Sequence, residues 1–461
     1  MLIDDAQAQT TAAMNRGREQ NSPVLEHGVE IGTAASGRTK AEMSLKIEAV
    51  ISRQNLMLAY QRVVENKGAS GVDNLSVLDL KPWLKQHWPS VKSTLIAGSY
   101  LPRAIRKVDI PKPNGDVRTL GIPTVTDRLI QQAIAQALTP YVEPTFSNSS
   151  YGFRPNRNAW QAVRQAQQFI HSGKRWVVDM DLEKFFDRVN HDILMERLSR
   201  NISDKRLLRI IRRYLEAGLL QNGIFEERKL GMPQGGNLSP LLSNIMLDEL
   251  DKELERRGHK FCRYADDCNI YVKSQEAGER VLKSITEFLG IRLKLKVNET
   301  KSAVAHVTKR KFLGYSFRRD SELKVANQSL VKFKNRIREL TSRNRGRKLE
   351  HVIKELNQYL NGWISYFRLS ANISVFNGLD SWIRRRLRCY RLKQRKRTYS
   401  VYKFLVELGV SVQNAWKLAK SSKGWWRLSL NPNIHTAMSN VWFDRSGLVS
   451  LEKKVASYNF N

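Results

Sequence analysis

The sequence has little cysteine and no long apolar run. Its three cysteines, Cys262, Cys268 and Cys389, form no Cys-x-x-Cys pair. This excludes a disulfide scaffold and a cysteine-rich zinc site, and it is typical of a reducing cytosol. No apolar run reaches the roughly 18–20 residues that a membrane helix needs, and the acidic first residues lack the apolar core of a secretory signal.

Acidic residues are scarce compared with basic ones. The 461 residues include 78 Lys and Arg against 44 Asp and Glu, which gives a formal net charge of +34. Such a chain repels itself unless a polyanion neutralises it, so nucleic acid is the expected partner and an anionic membrane surface the weaker alternative. A hydrophobic content of 41% is enough for folded cores and excludes a disordered basic tail.

Composition divides the chain into four segments. Residues 1–43 are rich in small polar residues and are predicted to be a flexible leader. Residues 44–325 mix helical and strand-like patterns and predict an α+β region. Residues 326–398 have helical periodicity, and the window 331–400 holds 19 Lys and Arg against 4 Asp and Glu. Residues 399–461 form a smaller basic tail with several aromatic residues.

Turn signals locate the strands of the α+β region. Asn-Gly pairs predict two hairpins, one spanning residues 104–123 and one turning at Asn222-Gly223. Apolar runs predict a buried strand that begins at Trp176, two short strands within residues 260–274, and a strand over residues 293–297. The stretch after Leu78 reads as several short helices.

Four aspartates in this basic chain require an explanation. Asp179 and Asp181 end an apolar strand, and Asp266 and Asp267 lie at the bend between two others. Neighbouring carboxylates repel each other unless a cation lies between them. Two magnesium ions held by carboxylates from two strands are what in-line nucleotidyl transfer uses. The plain alternative, a polar turn, is disfavoured because a Pro-Gln-Gly loop lies between the two aspartate pairs, in the order of a polymerase palm.

Several motifs in this order and spacing resemble the group II intron-encoded reverse transcriptases and maturases. The resemblance covers about residues 44–455. The motifs are SSYGFRPNRNAWQAV (149–163), DMDLEKFFDRVNHD (179–192), GMPQGGNLSPLLSNI (231–245), RYADDCNIYV (263–272), LKLKVNETKSAV (293–304), FLGYSF (312–317) and NQYLNGWISYFRLS (357–370).

The resemblance implies a right-hand polymerase. Residues 44–325 would form α+β fingers and palm with antiparallel sheets, residues 326–398 an α-helical thumb and maturase domain, and residues 399–461 a DNA-binding tail. The protein would be an RNA-directed DNA polymerase that uses two Mg²⁺ ions and dNTPs on an RNA template with a DNA primer. It would also bind its group II intron RNA and target DNA to promote splicing and retrohoming, in a bacterial cytoplasm and at the nucleoid when mobile.

The resemblance also assigns the metal site. Asp181 and Asp266 would be the metal ligands, with Asp267 as the third catalytic carboxylate and Leu182 contributing its backbone carbonyl. Asp179 and the nearby Asp187 are expected to be structural.

Four residues are expected to contact the incoming nucleotide. Lys112 and Arg118 lie on the two arms of the first hairpin and would bind the triphosphate, although general RNA contact by a basic strand is the alternative. Phe186 would crowd the 2′ position of the sugar and exclude ribonucleotides. Gln234 would contact the nucleotide from a loop whose glycine allows close backbone approach.

Primer and proton-transfer roles complete the expected site. Tyr264, Pro233 and Gly235 would contact the primer and template, although Tyr264 could instead belong to the core. Lys301 is a candidate general acid for pyrophosphate.

The basic helical segments are expected to bind RNA phosphates through Arg384, Arg385, Arg386 and Arg388. The aromatic residues among them have two interpretations. Trp363, Tyr366 and Phe367 have helical spacing, which favours a helix core over a base-stacking platform. Trp425, Trp426 and Arg427 could clamp a strand or form a local core.

Two alternative functions share part of this interpretation. One is a domesticated or defence-associated reverse transcriptase without an intron, and the other is an RNA-binding splicing cofactor with a vestigial polymerase. The chain lacks the paired Cys and His spacing of the endonuclease that longer relatives carry. It therefore looks most like the group IIC branch, which lacks that nuclease, and priming is expected from a nick or a replication fork.

Overall fold

The computed structural model describes residues 45–111, Gly115 and residues 117–459. The chain divides into two compact units, Met1–His306 and Val307–Asn461. The leader predicted for residues 1–43 lies outside the described residues. The boundary expected after residue 325 falls inside the second unit, which holds both the expected thumb and the expected tail.

The first unit combines helices with two four-stranded sheets. Its helices in chain order are α1 (Ile47–Val50), α2 (Arg53–Glu65), α3 (Leu80–Ile96), α4 (Val125–Val142), α5 (Ala159–His171), α6 (Phe185–Arg188), α7 (His191–Ser199), α8 (Lys205–Glu216), α9 (Ser239–Arg256) and α10 (Gln275–Phe288). Its strands are β1 (Ile105–Pro111), β2 (Val117–Ile122), β3 (Trp176–Met180), β4 (Leu219–Gln221), β5 (Ile224–Glu226), β6 (Lys260–Tyr264), β7 (Asp267–Val272) and β8 (Ala303–His306).

One sheet contains the two predicted hairpins. Its order is β2-β1-β4-β5, and β1 and β4 pair in parallel. Both hairpins are antiparallel, as the Asn-Gly signals predicted. The other sheet has the order β6-β7-β3-β8, with β3 and β7 in the middle. It is antiparallel throughout, so the ends of adjacent strands and the turn between β6 and β7 meet at one edge.

Two local predictions were wrong. The stretch predicted as several short helices is the single helix α3, which continues through Pro89. The predicted strand over residues 293–297 is replaced by a π-helical turn, Leu289–Leu293, and an irregular segment. Leu289, Leu293 and Leu295 are buried in the core, so their apolar pattern reflects core packing rather than strand pairing.

The core of the first unit lies between the sheets and their helices. Helix α4 begins at the cap residue Thr124, whose hydroxyl accepts the Asp127 N–H, and it buries residues on nearly all sides. Val178 and Met180 of β3 are fully buried against the same core, which anchors the strand that precedes Asp181.

The second unit is mainly helical. A small antiparallel sheet comes first, with β9 (Lys311–Phe312), β10 (Tyr315–Phe317) and β11 (Leu323–Val325) in the order β11-β10-β9. The helices are α11 (Asn327–Leu340), α12 (Leu349–Phe367), α13 (Ile373–Arg395), α14 (Thr398–Glu407), α15 (Val412–Ala419), α16 (Trp425–Leu428), α17 (Pro432–Ala437), α18 (Asn440–Arg445) and α19 (Leu451–Asn459).

The fold class agrees with the α+β region followed by helices that the sequence predicts. The final helix α19 packs on α12 and α13, so the expected tail shares a core with the expected thumb. In the part of the chain that is described, no helix has the length and apolar character needed to cross a membrane.

Candidate active site

The two predicted metal ligands lie at one end of the central strands. Asp181 directly follows β3, and Met180 of β3 pairs with Cys268 of β7. Continuing this register by one residue brings Asp181 opposite Asp267. Asp266 occupies the two-residue turn between β6 and β7, which the pair Tyr264 and Asp267 closes. The fold therefore brings residues more than eighty positions apart to the same sheet edge.

The charge of Asp181 acts on Asp266 across the sheet edge. The pKa of the half-buried Asp266 is raised above its ordinary value, first by burial and then by the negative charge of Asp181. The positive charges of Arg118 and Arg263 act in the opposite direction. Two carboxylates that repel each other in this way provide a favourable place for a cation.

The donor set fits magnesium bound together with a substrate. In the described residues, no three His, Cys, Asp or Glu side chains lie close enough to hold a metal by themselves. Mg²⁺ is commonly held by one or two carboxylates, with substrate phosphates and water supplying the other oxygens. Asp181 and Asp266 meet that requirement, and Asp267 has an exposed side chain at the same sheet edge.

The backbone at Leu182 also suits a metal site. Leu182 forms an isolated antiparallel bridge with Val297. The hydrogen bonds of this bridge come from the flanking residues: Asn298 N–H donates to the Asp181 carbonyl, and Glu183 N–H donates to the Lys296 carbonyl, both at 2.8 Å. In this type of pair the Leu182 carbonyl points away from its partner, although its side chain is buried.

Asp181 is supported by the segment that follows the π-helical turn. Its backbone N–H donates to Ser302 Oγ at 3.0 Å. Lys301 Nζ lies 3.5 Å from Asp181 Oδ2, and the two side chains are 63% and 40% exposed. The structure therefore places Lys301 beside the predicted metal ligand, with its ammonium group open to solvent.

Arg118 and Gln234 are brought together although they are far apart in sequence. Arg118 Nε donates to Gln234 Oε1 at 3.2 Å, and Gly121 N–H donates to the Gln234 carbonyl at 2.8 Å. Gly235 has φ of 117°, and a Cβ there would lie 2.7 Å from the Gly121 carbonyl oxygen. Glycine at this position therefore allows the loop to dock on β2. Lys112 lies outside the described residues.

Phe185 and Phe186 have different surroundings. Phe185 is buried in the core, whereas Phe186 is only half-buried and its ring meets the Phe185 ring edge-on, with centroids 5.3 Å apart. The Phe186 carbonyl accepts Met232 N–H at 2.7 Å. This bond ties Phe186 to the loop that carries Gln234.

The three residues expected to contact primer and template differ in accessibility. Pro233 is buried, and its carbonyl accepts the Ser239 hydroxyl at 2.7 Å. In this structure Pro233 therefore supports the loop from within. Gly235 is exposed, and Tyr264 is half-buried.

A buried polar network behind the aspartate turn was not anticipated. Arg263 and Asp251 form an ion pair in which neither side chain is exposed. Arg263 also contacts Asn244 and the Ala265 carbonyl. A sequence signal existed, because Asn244 and Asp251 stand seven residues apart on the apolar face of α9, and Arg263 interrupts an apolar strand.

The expected RNA-binding arginines on α13 are not equivalent. Arg388 is buried and donates to the Met438 carbonyl at 2.9 Å, so the structure places its side chain inside the second unit and not on its surface. Arg386 is half-buried and donates to Thr341 Oγ1 at 2.5 Å. Arg385 stacks on Trp426 with its Cζ atom 3.8 Å from the ring centroid. Arg384 is half-exposed and donates to Ser381 Oγ of its own helix at 3.1 Å.

The aromatic residues of α12 belong to the core of the second unit. Trp363 and Phe367 are buried, and the Trp363 ring centroid lies 4.3 Å from that of Phe333. Tyr366 donates its hydroxyl to the Leu313 carbonyl at 2.8 Å. The core interpretation is therefore confirmed for this helix. Trp426 is 39% exposed and covered on one face by the Arg385 stack.

Comparisons with known proteins agree with this geometry. The family described as reverse transcriptase (RNA-dependent DNA polymerase) matches residues 110–317, and the group II intron maturase-specific domain matches residues 330–406. Protein YkfC of Escherichia coli is 35% identical over 284 residues, which is 53% of this chain and 74% of that protein.

Two further similarities cover smaller shares of the other protein. The group II intron-encoded protein LtrA of Lactococcus lactis is 30% identical over 329 residues, which is 57% of this chain and 54% of LtrA. This chain thus spans about half the length of that relative. Among solved structures, a partial Cas6-RT-Cas1–Cas2 complex is 26% identical with a TM-score of 0.36, over 58% of this chain and 46% of that chain.

Proposed function

This chain belongs to the family of group II intron-encoded reverse transcriptases and maturases, and from this premise we propose that it synthesises DNA on an RNA template. In the same proposal it binds its group II intron RNA to promote splicing and retrohoming into target DNA. The observation that carries the polymerase is the pairing of Asp181 and Asp266 at one sheet edge, with Arg118 and Gln234 in contact nearby.

Asp181, Asp266 and Asp267 would hold two Mg²⁺ ions together with the Leu182 carbonyl and the phosphates of the substrate. The chemistry that two bound ions would supply there is acidification of the primer 3′-hydroxyl and neutralisation of the charge on the leaving pyrophosphate. The protein holds the two carboxylates at a fixed separation through β3 and the β6–β7 turn. Lys301, next to Asp181, would supply a proton to the pyrophosphate.

The nucleotide would lie between the hairpin of β1 and β2 and the loop of Gln234. Arg118, with Lys112 on the other arm, would bind the triphosphate, since a guanidinium can hold two phosphate oxygens at once. Phe186 would face the sugar and exclude the 2′-hydroxyl. Tyr264 and Gly235 would contact the primer and template.

In the second unit, Arg384 is the best placed of the proposed RNA contacts, with Arg385 and Arg386 contributing charge from partly covered positions. The maturase-specific domain supports intron RNA as the partner. The finer assignment to the group IIC branch, which lacks the endonuclease, belongs to the same proposal.

The test is primer extension on an RNA template with dNTPs and Mg²⁺, comparing wild type with Asp266→Ala. We expect the variant to lose synthesis by about 10³-fold or more, because a metal ligand contributes several kcal/mol. Asp192→Ala removes an exposed aspartate that pairs with Arg212 and should leave synthesis unchanged.

RNA binding is measured in parallel as a function of salt, since phosphate contacts weaken steeply as salt rises. Asp266→Ala should bind structured intron RNA with wild-type affinity. Loss of both activities in a folded variant would contradict the separation of roles. Folded wild-type protein that binds RNA tightly but extends no primer would favour the splicing-cofactor alternative.

A further inference from the structure

The turn that carries Asp266 is held from behind by a fully buried arginine. Arg263 Nε and Nη2 donate to the two Asp251 carboxylate oxygens at 2.7 and 2.5 Å. The remaining terminal nitrogen, Nη1, donates to the Ala265 carbonyl at 2.9 Å and to Asn244 Oδ1 at 3.0 Å. The arginine therefore connects helix α9 to the carbonyl that immediately precedes Asp266.

The direction of the Ala265 carbonyl determines the type of the turn and therefore the direction of the Asp266 side chain. Ala265 has φ of 59°, whereas Asp266 is not in the left-handed region, which is the pattern of a type II′ turn. Rotating the peptide between the two residues would convert it to type I′ and re-aim Asp266. A non-glycine residue at this φ costs roughly 1–2 kcal/mol. The bond from Arg263 opposes the rotation and offsets part of that cost.

A second contact restrains the same turn from the other side. A Cβ at Gly152 would lie 2.2 Å from the Ala265 nitrogen, so the two backbones are in direct contact. Asn244 Nδ2 donates to the Gly152 carbonyl at 2.9 Å. Asn244 therefore links the arginine to the segment that covers the turn, and both restraints converge on Ala265.

Stability is a poor explanation for this network. A buried ion pair often contributes no more than apolar residues of the same volume, because both charges lose their hydration. Apolar side chains could join α9 to β6, but they could not hold a carbonyl in a chosen direction. We propose that Arg263, held by Asp251 and Asn244, is a positioning residue that orients the Ala265–Asp266 peptide so that Asp266 faces Asp181.

This inference rests on the proposed function, because it assigns Arg263 to the geometry of that metal site. The test uses the full-length chain with three changes. Arg263→Lys keeps the charge but cannot reach both Asp251 and Ala265. The double variant R263M/D251L removes the pair without leaving an unpaired buried charge. Ala265→Gly leaves the pair intact and removes the side chain that disfavours the left-handed conformation.

Four quantities are measured for each protein: the single-nucleotide addition rate against Mg²⁺, Mn²⁺ binding by electron paramagnetic resonance with a chain-terminated primer–template and bound dNTP, primer–template affinity and melting temperature. The matched control is Arg197→Lys. Arg197 of α7 is buried and pairs with Glu249 at 3.5 Å and with Glu196 at 3.3 Å. Neither acid belongs to the turn or to the segment that covers it.

We expect Arg263→Lys and the double variant to lower the addition rate by about 10- to 100-fold, to raise the Mg²⁺ midpoint and to weaken Mn²⁺ binding, with unchanged primer–template affinity. Ala265→Gly alone should keep the wild-type values, because glycine is the preferred residue at this position of a type II′ turn. Added to Arg263→Lys, Ala265→Gly should restore part of the lost addition rate and metal binding, because it removes the conformational cost that Arg263 offsets.

Arg197→Lys should lower the melting temperature without moving the metal midpoints. Arg263 variants that lose stability but keep wild-type Mg²⁺ and Mn²⁺ midpoints, or an Arg263→Lys protein that Ala265→Gly does not improve, would overturn this inference alone. A wild-type protein that extends no primer would overturn the proposed function and this inference with it.

Discussion

Arginine side chains are satisfied differently in the two units of this protein. In the first unit, most of the described buried arginines pair with carboxylates, as Arg263 does with Asp251 and Arg154 with Glu143. Arg128 instead donates to the Ala69 carbonyl. In the second unit, arginines of α13 donate to neutral oxygens or stack on rings. Arg388 donates to the Met438 carbonyl, and Arg385 lies over the Trp426 ring.

The small number of acidic residues near α13 explains this difference. Residues 331–400 contain only 4 acidic residues against 19 basic ones, so carboxylates there can pair with only a few arginines, as Glu355 does with Arg345 and Arg347. For arginines of α13, backbone carbonyls and aromatic faces take the place of carboxylates. The lesson is that a dense basic run does not by itself form an RNA-binding face, since part of the run holds the fold together.

The largest effect that sharpens this comparison is expected at Phe186 in the first unit. Phe186→Ala should admit ribonucleotides and reduce dNTP over rNTP discrimination by roughly 10- to 200-fold, because a steric block of the 2′-hydroxyl is removed. The measurement is the ratio of catalytic efficiencies for dNTP and rNTP in single-nucleotide addition.

Phe185→Leu is the matched control for that experiment. Phe185 is buried beside Phe186, so its truncation should lower stability and leave the dNTP preference intact. An unchanged preference in Phe186→Ala would show that the ring packs without facing the sugar.

The second-largest effect is expected at Asp380, an acidic residue of the second unit whose carboxylate accepts hydrogen bonds from backbone N–H groups and a serine hydroxyl. Its carboxylate accepts Ser450 Oγ and the Leu451 and Glu452 N–H groups, at 2.7, 3.0 and 3.2 Å. Asp380→Ala should destabilise the docking of α19 by about 1–3 kcal/mol, because buried donors lose their acceptor.

Hydrogen exchange at the Leu451 and Glu452 amides measures this effect locally. Asp444→Ala, which removes an exposed partner of Lys453, should leave that protection unchanged. Equal exchange in both variants would mean that Asp380 does not hold α19.

A smaller effect separates two arginines of the same helix. Arg388→Met should destabilise the second unit by about 1–2 kcal/mol, since the Met438 carbonyl loses its donor. Arg384→Met should change stability by less than about 0.5 kcal/mol, and it should weaken RNA binding and reduce its salt dependence. Denaturant unfolding measures the stability of both variants, and a salt titration measures their RNA binding. A loss of stability in Arg384→Met together with a loss of RNA binding in Arg388→Met would contradict the comparison.

The smallest effect is expected at Arg385. Arg385→Lys keeps the charge but loses the planar stack, so the segment around Trp426 should lose about 0.5–1 kcal/mol of local stability. Limited proteolysis near Trp426 measures this loss. Cleavage at the wild-type rate would show that the stack contributes nothing to the fold.

Much of the first unit could be predicted from local patterns. The Asn-Gly pairs located both hairpins because this dipeptide suits the tight turns that join antiparallel strands. The apolar run that begins at Trp176 located β3 because a short apolar run is typical of a buried strand. The segment around Leu293 was misassigned because an alternating apolar pattern also satisfies an irregular segment packed on a core. The stretch of helix α3 reads as several short helices in the sequence, whereas the helix continues through Pro89, because proline is disfavoured inside a helix but tolerated in context.

The sequence by itself determined which motifs the chain carries and in what order, since local residue types define such motifs. The roles proposed for Asp181, Asp266, Gln234 and Phe186 follow from the resemblance of those motifs to the family. Only the tertiary structure decided which charges face solvent and which support the site. Arg263 and Arg388 look like other basic residues in the printed sequence, because burial depends on elements far apart in the chain and on whether those elements offer an acceptor.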